Sequence, residues 1–269
     1  MMKYYKIIIA VILVAIFSFW IFHNFNKPKK PLKLKTIKPI SAVVNGRVAI
    51  VLDDWGYNMN NLSALSDINV PITIAVLPNL AHSLEIAQIA KAKGKQVILH
   101  LPLESQAGER PEKDTLYCSM DQKEISQRLK AILNSLPGIS GVNNHQGSKA
   151  TEDIRMMSIV LSELKNKKLF FLDSYTTNKS VCQKVAAEIG IKYAKRDIFL
   201  DEPASKLGDE ELRVYIKGQL DKLSAIAAKR GYAVGIGHDR KTTLNVLKEI
   251  IPRLRKKGVK FVFISGLVS

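Results

Sequence analysis

From Arg47 to the C-terminus, short apolar runs alternate with longer amphipathic ones, and few folds accept that pattern. The strand candidates are Val48–Leu52, Ile72–Leu77, Gln96–Leu101, Ile139–Asn143, Leu169–Leu172, Ile191–Ala194, Ala233–Ile236 and Lys260–Ile264. Most are unbroken Val- and Ile-rich stretches, as expected of parallel strands buried on both faces. Helices are predicted between them, over 58–68, 81–93, 121–135, 151–166, 179–189, 209–230 and 241–257. Asp121 followed by Glu124 resembles a capping box, and Gly94, Gly138, Gly190 and Gly231 fall where helices should stop. Such alternation predicts an α/β fold. Eight strands suit an irregular (β/α) barrel of seven or eight parallel strands. A doubly wound sheet is the alternative, but no G-x-G-x-x-G or Walker A motif supports it.

The N-terminus reads differently. Residues 7–22 carry no charge and would span roughly 24 Å as a helix, a little short of a ~30 Å hydrocarbon core. Trp20, Phe22 and Phe25 can extend the span into the interface. The expectation is a membrane anchor over 1–25, a transmembrane helix, with bulky residues where a signal peptide would be cleaved. A cleaved, secreted form is the alternative. Residues 26–45, with Pro28, Pro31 and Pro39, read as a Lys/Pro-rich tether, and 46–269 as the barrel domain.

Charge is concentrated in the same place. The net charge is +17, yet residues 1–40 hold eight lysines and no acid. A Lys-rich stalk beside an apolar run suits an anionic membrane surface and weakens a nucleic-acid reading. Six lysines follow the run and two precede it, which by the positive-inside rule would keep the body in the cytoplasm. The short basic lead favours export, so the barrel is expected outside the cytoplasm, in the periplasm or at the cell surface. No protein partner is deducible. Two cysteines exclude a disulfide-rich scaffold and a four-cysteine zinc site. Cys118 and Cys182 could pair after export, although two predicted strands separate them.

Polar residues gather where the strands end. The ends carry Asp53-Asp54, His100 with Glu104 beyond it, Asn143-Asn144-His145, Asp173-Ser174, Arg196-Asp197 and His238-Asp239. In a parallel barrel these ends share one rim, where loops build the active site. Neutral imidazole and carboxylate are the usual nitrogen and oxygen ligands of Zn²⁺. A second carboxylate nearby can accept a proton from water. Asp53 and Asp54 could divide those two tasks, or form a turn pair. Trp55 could stack on a sugar or pack in a loop. Asn143, Asn144 and Ser148 could bind substrate or cap turns. The long segment 104–120 reads as a lid or substrate-binding loop.

The ordered segments VAIVLDDWGY, ITIAVLP, VILHLPLE, NNHQGS, FFLDS and GIGH resemble the divergent polysaccharide deacetylase family, a relative of the NodB-homology carbohydrate esterases. The resemblance covers about 47–269. It implies an irregular barrel, a divalent metal, usually zinc, and removal of acetyl groups from N-acetylated glycans. Position by position, it makes Asp53 the base, Asp54 and His100 metal ligands, and His238 the general acid, oriented by Asp173. The relatives' second metal histidine is replaced by Glu104, and His145 can supply the missing imidazole. Their Arg-x-Pro-x-Gly motif is absent, and Arg196 can stand in for its arginine by holding Asp53. Trp55, Glu104, Asn144 and Ser174 are the remaining substrate-binding candidates.

The resulting expectation is a metal-dependent hydrolase acting on an envelope polysaccharide. The alternatives are a catalytically weak or inactive envelope glycan-binding barrel, or a glycosidase. The last would need two carboxylates across a sugar and no metal, which a histidine-rich rim argues against.

Overall fold

The computed structural model describes residues 46–269, apart from Ala107 and Glu109. The expected membrane segment over 1–25 and the tether over 26–45 lie outside the described residues. Among the described residues, no helix is long and apolar enough to cross a membrane.

Strands and helices alternate: β1 (Arg47–Trp55), α1 (Leu62–Ser66), β2 (Thr73–Val76), α2 (Ser83–Ala92), β3 (Gln96–Leu103), α3 (Gln122–Ser135), β4 (Gly141–Gln146), α4 (Ile154–Asn166), β5 (Phe170–Asp173), α5 (Cys182–Ile189), β6 (Tyr193–Lys195), β7 (Ile198–Phe199), α6 (Asp209–Arg230), β8 (Tyr232–His238), α7 (Lys241–Lys256) and β9 (Lys260–Phe261). The helices start and stop on local chemistry. Asp121 and Asp153 accept hydrogen bonds from the amides of Glu124 and Met156, capping α3 and α4. Gly231 ends α6 in the left-handed region, at φ 89°, where a side chain would be strained.

Every ladder is parallel, in the order β6-β5-β4-β3-β2-β1-β8-β7, with β9 also beside β1. Strands β6 and β7 occupy opposite edges, yet only Arg196 and Asp197 separate them. Three peptide steps reach about 11 Å at most. The sheet must therefore curl until its edges nearly meet, giving an irregular, incompletely closed (β/α) barrel. Neighbouring strands follow in sequence across most of the sheet, unlike a doubly wound fold. The sequence pattern predicts one strand here, Ile191–Ala194, which overlaps β6, and misses β7, which is only two residues long.

The curl sorts side chains by the two-residue period of a strand. Ala49 and Val51 of β1, Ile98 of β3, Leu172 of β5, and Val234 and Ile236 of β8 form one buried cluster inside the curl. Ile50, Leu52, Ile74, Leu99 and Phe171 point the other way and pack with helix residues such as Ile86, Leu129, Val160 and Leu247. The C-terminal residues Ile264 and Leu267 join the inner cluster. The Ile264 amide donates to Thr73 Oγ1 and the Ser265 amide to Gln96 Oε1. Thr73 and Gln96 begin β2 and β3, so this segment covers the end opposite the C-terminal rim. Cys118 is half-buried and Cys182 buried, and both are free thiols, so the possible disulfide is not formed.

Candidate active site

The inward rows that build the barrel core continue into the site. Two residues beyond Val51 comes Asp53, beyond Ile98 comes His100, beyond Leu172 comes Ser174, and beyond Ile236 comes His238. Asn143 and His145 continue the row on β4. Hydrophobic packing at one end thus aims polar side chains into a cleft of about 380 Å³ at the other. Asp54 should face the opposite way. The β1–β2 register slips between Leu52 and Trp55, and Asp54 takes a left-handed φ of 66°. That irregularity turns Asp54 into the cleft as well. Such backbone costs on the order of 1–3 kcal/mol, least for Asp and Asn, and is held by the surrounding sheet.

Asp54, His100 and His145 converge. Asp54 Oδ1 lies 3.2 Å from His100 Nε2 and 3.1 Å from His145 Nδ1, and the two nitrogens are 3.2 Å apart. Ligands bound at roughly 2.0–2.1 Å in tetrahedral geometry sit about 3.3–3.4 Å from one another, so this triangle fits one face of a zinc-sized tetrahedron. The donor chemistry also fits, since two imidazoles and one carboxylate leave a position open. The surroundings favour positive charge. Burial opposes ionisation of His100, but Asp53 and Asp54 outweigh it and raise its pKa. Burial alone would raise the Asp54 carboxyl, but hydrogen bonds with His100 and His145 hold it far below the carboxylate range.

Asp53 is almost wholly buried, and burial raises its pKa despite nearby histidines. Both its oxygens accept from Asn143 Nδ2, each at 3.0 Å. On the other side of the cleft, His238 Nδ1 donates to Asp201 Oδ1 at 2.7 Å. Asp201 is fully buried and also accepts from the His238 amide and from Thr243 Oγ1. Burial would raise Asp201, but these hydrogen bonds and the His238 charge lower it. In return, Asp201 overcomes the burial penalty on His238 and lifts it to about 9. Glu202 Oε1 stands 3.4 Å from His238 Nε2 at the cleft edge.

Residues 50–268 match the divergent polysaccharide deacetylases, nearly the whole described chain. The chain belongs to the divergent polysaccharide deacetylase family. Similar proteins include the uncharacterized protein YibQ of Escherichia coli K12, 33% identical over 80% of this chain and 65% of its own length. The chain thus spans just under two thirds of that relative. An uncharacterized Haemophilus influenzae protein is also 33% identical, over 75% of this chain and 70% of its own. The crystal structure of the uncharacterized Agrobacterium tumefaciens protein ATU2773 shares the fold, with a TM-score of 0.75 at 23% identity, covering 83% of this chain and 89% of that one.

Against the family pattern, several expected roles move. Asp173 does not orient His238. It is buried at the end of β5 and accepts from the Tyr175 amide, Ser180 Oγ and Tyr193 OH. Asp201, which the sequence reading did not single out, holds His238 instead. Arg196 does not hold Asp53. Its guanidinium donates to the carbonyls of Ser174 and Tyr175 and stacks 3.5 Å from the Phe199 ring. Asn143 holds Asp53.

Two substrate candidates also leave the cleft. The Trp55 side chain is fully buried in the outer core, so no sugar can stack on it. The register slip after Leu52 turns Trp55 to the outer face, and the strand runs three residues past its predicted end. The Glu104 carboxylate accepts from the Cys118 amide and Lys149 Nζ, both at 2.7 Å, and so ties down the 104–120 segment. Asn144 and Ser174 line the cleft. They also bond each other, the Ser174 amide donating to Asn144 Oδ1 and Ser174 Oγ to the Asn144 carbonyl.

Proposed function

We propose that this chain is a divalent-metal-dependent hydrolase that removes N-acyl groups, chiefly acetyl, from an envelope polysaccharide. The observation that carries the reading is the Asp54–His100–His145 triangle, facing Asp53 and the His238–Asp201 pair in one cleft. Family membership supports the substrate class. Asp54, His100 and His145 would hold the ion, zinc by donor type. A bound ion would polarise the acyl carbonyl and make an attacking water more acidic.

The chain's own residues divide the remaining work. Asp53, kept basic by burial and pinned by Asn143, accepts the proton of the attacking water. His238, charged through Asp201, donates a proton to the departing amine nitrogen. Water and an acetamide thereby become acetate and an amine. Asn144, Ser148 and Thr176 present polar groups along the cleft for sugar hydroxyls. We place the domain outside the cytoplasm, tethered by residues 1–25, a reading supported by the apolar run and its basic lead.

The test is acetate release from N-acetylated glucosamine oligomers and from peptidoglycan, using the zinc-loaded protein. Acetate release that Asp53→Asn removes would support the reading. Zinc and glycan binding without acetate release would favour the glycan-binding alternative.

A further inference from the structure

We propose that Asn143 is a two-ended positioning residue that sets both the ligand nitrogen of His100 and the direction of the base Asp53; this rests on the metal-hydrolase reading above. Asn143 is completely buried in the inward row of β4, between the two side chains. Its amide is oriented by its neighbours. Both Asp53 oxygens, each 3.0 Å away, are acceptors, so the atom facing them must be the NH₂ group. The same NH₂ lies 3.2 Å from Ser174 Oγ.

The carbonyl end is then fixed as well. Asn143 Oδ1 lies 2.9 Å from His100 Nδ1 and can only accept. His100 must carry a proton on Nδ1, so in the neutral form that binds a metal the lone pair is on Nε2, facing Asp54 and His145. His145 presents the opposite nitrogen, Nδ1, to the same point. The two proposed ligands therefore have opposite tautomers, and Asn143 selects one of them.

An arginine could not do both jobs, because it has donors and no acceptor. Holding Asp53 with a guanidinium would leave His100 Nδ1 facing a donor. A single neutral amide joins the base to a ligand, so moving either end disturbs the other.

The test uses the full chain, stripped with a chelator and titrated with Zn²⁺, as wild type, Asn143→Asp and Asn143→Leu. Asn143→Asp keeps an acceptor for His100 but loses the donor to Asp53. It should bind zinc about as tightly as wild type while losing acetate release. Asn143→Leu loses both ends. Its zinc affinity should fall about 10–100-fold, the usual effect of losing a partner behind a metal-binding histidine.

Side-chain ¹⁵N NMR of the zinc-loaded wild type gives a second, mutation-free measurement. It should show Nδ1–H on His100 and Nε2–H on His145. Nε2–H on His100, or unchanged zinc affinity in a folded Asn143→Leu protein, would overturn the proposal. Absence of zinc binding by wild type would instead sink the metal-hydrolase reading on which it rests.

Discussion

The two sides of the cleft handle charge in opposite ways. On the β1–β3–β4 side, Asp54, His100 and His145 bring one carboxylate oxygen and two ring nitrogens within 3.1–3.2 Å of one another. Protons on the imidazoles can bridge that triangle to the carboxylate, and under the proposed reading a bound cation would take their place. On the β8 side, Asp201, His238 and Glu202 alternate negative, positive, negative, and the imidazolium already satisfies both carboxylates. Under the proposed reading, one side exchanges protons for an outside cation, and the other keeps its own charge as a proton. Asp53 and Asn143 lie between them. The lesson is that clusters with similar composition can do different chemistry according to whether donors and acceptors alternate.

The comparison can be broken most sharply at Asp53. Asp53→Asn should cut turnover by about 10²–10⁴-fold, the usual worth of a positioned acid or base. Zinc stoichiometry should stay unchanged. Retained turnover would remove Asp53 from the base role.

Asp201→Asn should act on the proton-carrying side alone. In the metal-free protein, wild-type His238 should titrate near 9, and the variant should move down toward 6.5. The sign follows from the raised folded value. His238 contributes stability that is fully present below about 6.5 and lost as pH rises through about 9. NMR titration of the imidazole and thermal melts across that window would check both. An unmoved His238 would break the pairing with Asp201.

A smaller effect is expected at Asp173. Asp173→Asn leaves a buried group facing three donors badly matched, at a cost of about 1–3 kcal/mol by denaturant melts. The His238 titration should stay in place, and a shift comparable to that of Asp201→Asn would restore Asp173 to the acid side. The smallest effect belongs to Trp55→Phe. With the indole buried outside the cleft, glycan affinity should not change, while stability falls by about 1 kcal/mol. A large affinity loss would return Trp55 to the cleft.

Much of this architecture was legible in the residues. Strands buried on both faces appear as unbroken apolar runs, and α6 spans the predicted 209–230 because Gly208 and Gly231 bracket it. The rim histidines stood out because polar residues at the C-terminal ends of buried strands have little else to explain them. Asp201 was hidden by the two-residue strand β7, too short to show a pattern, so its loop did not register as a strand end. Asp173 ends an obvious strand and drew the role that Asp201 fills. Asn143 looked like any turn or cap residue, since its importance lies in the two neighbours that only the curl brings together. The burial of Trp55 depends on β1 continuing past two acidic residues, which local polarity argues against.

The most direct test is the metal content of the purified protein after zinc loading, beside His100→Ala with His145→Ala. The account predicts about one zinc per chain in wild type and none retained by the folded double variant. No zinc in folded wild type, or equal zinc in both, would contradict it.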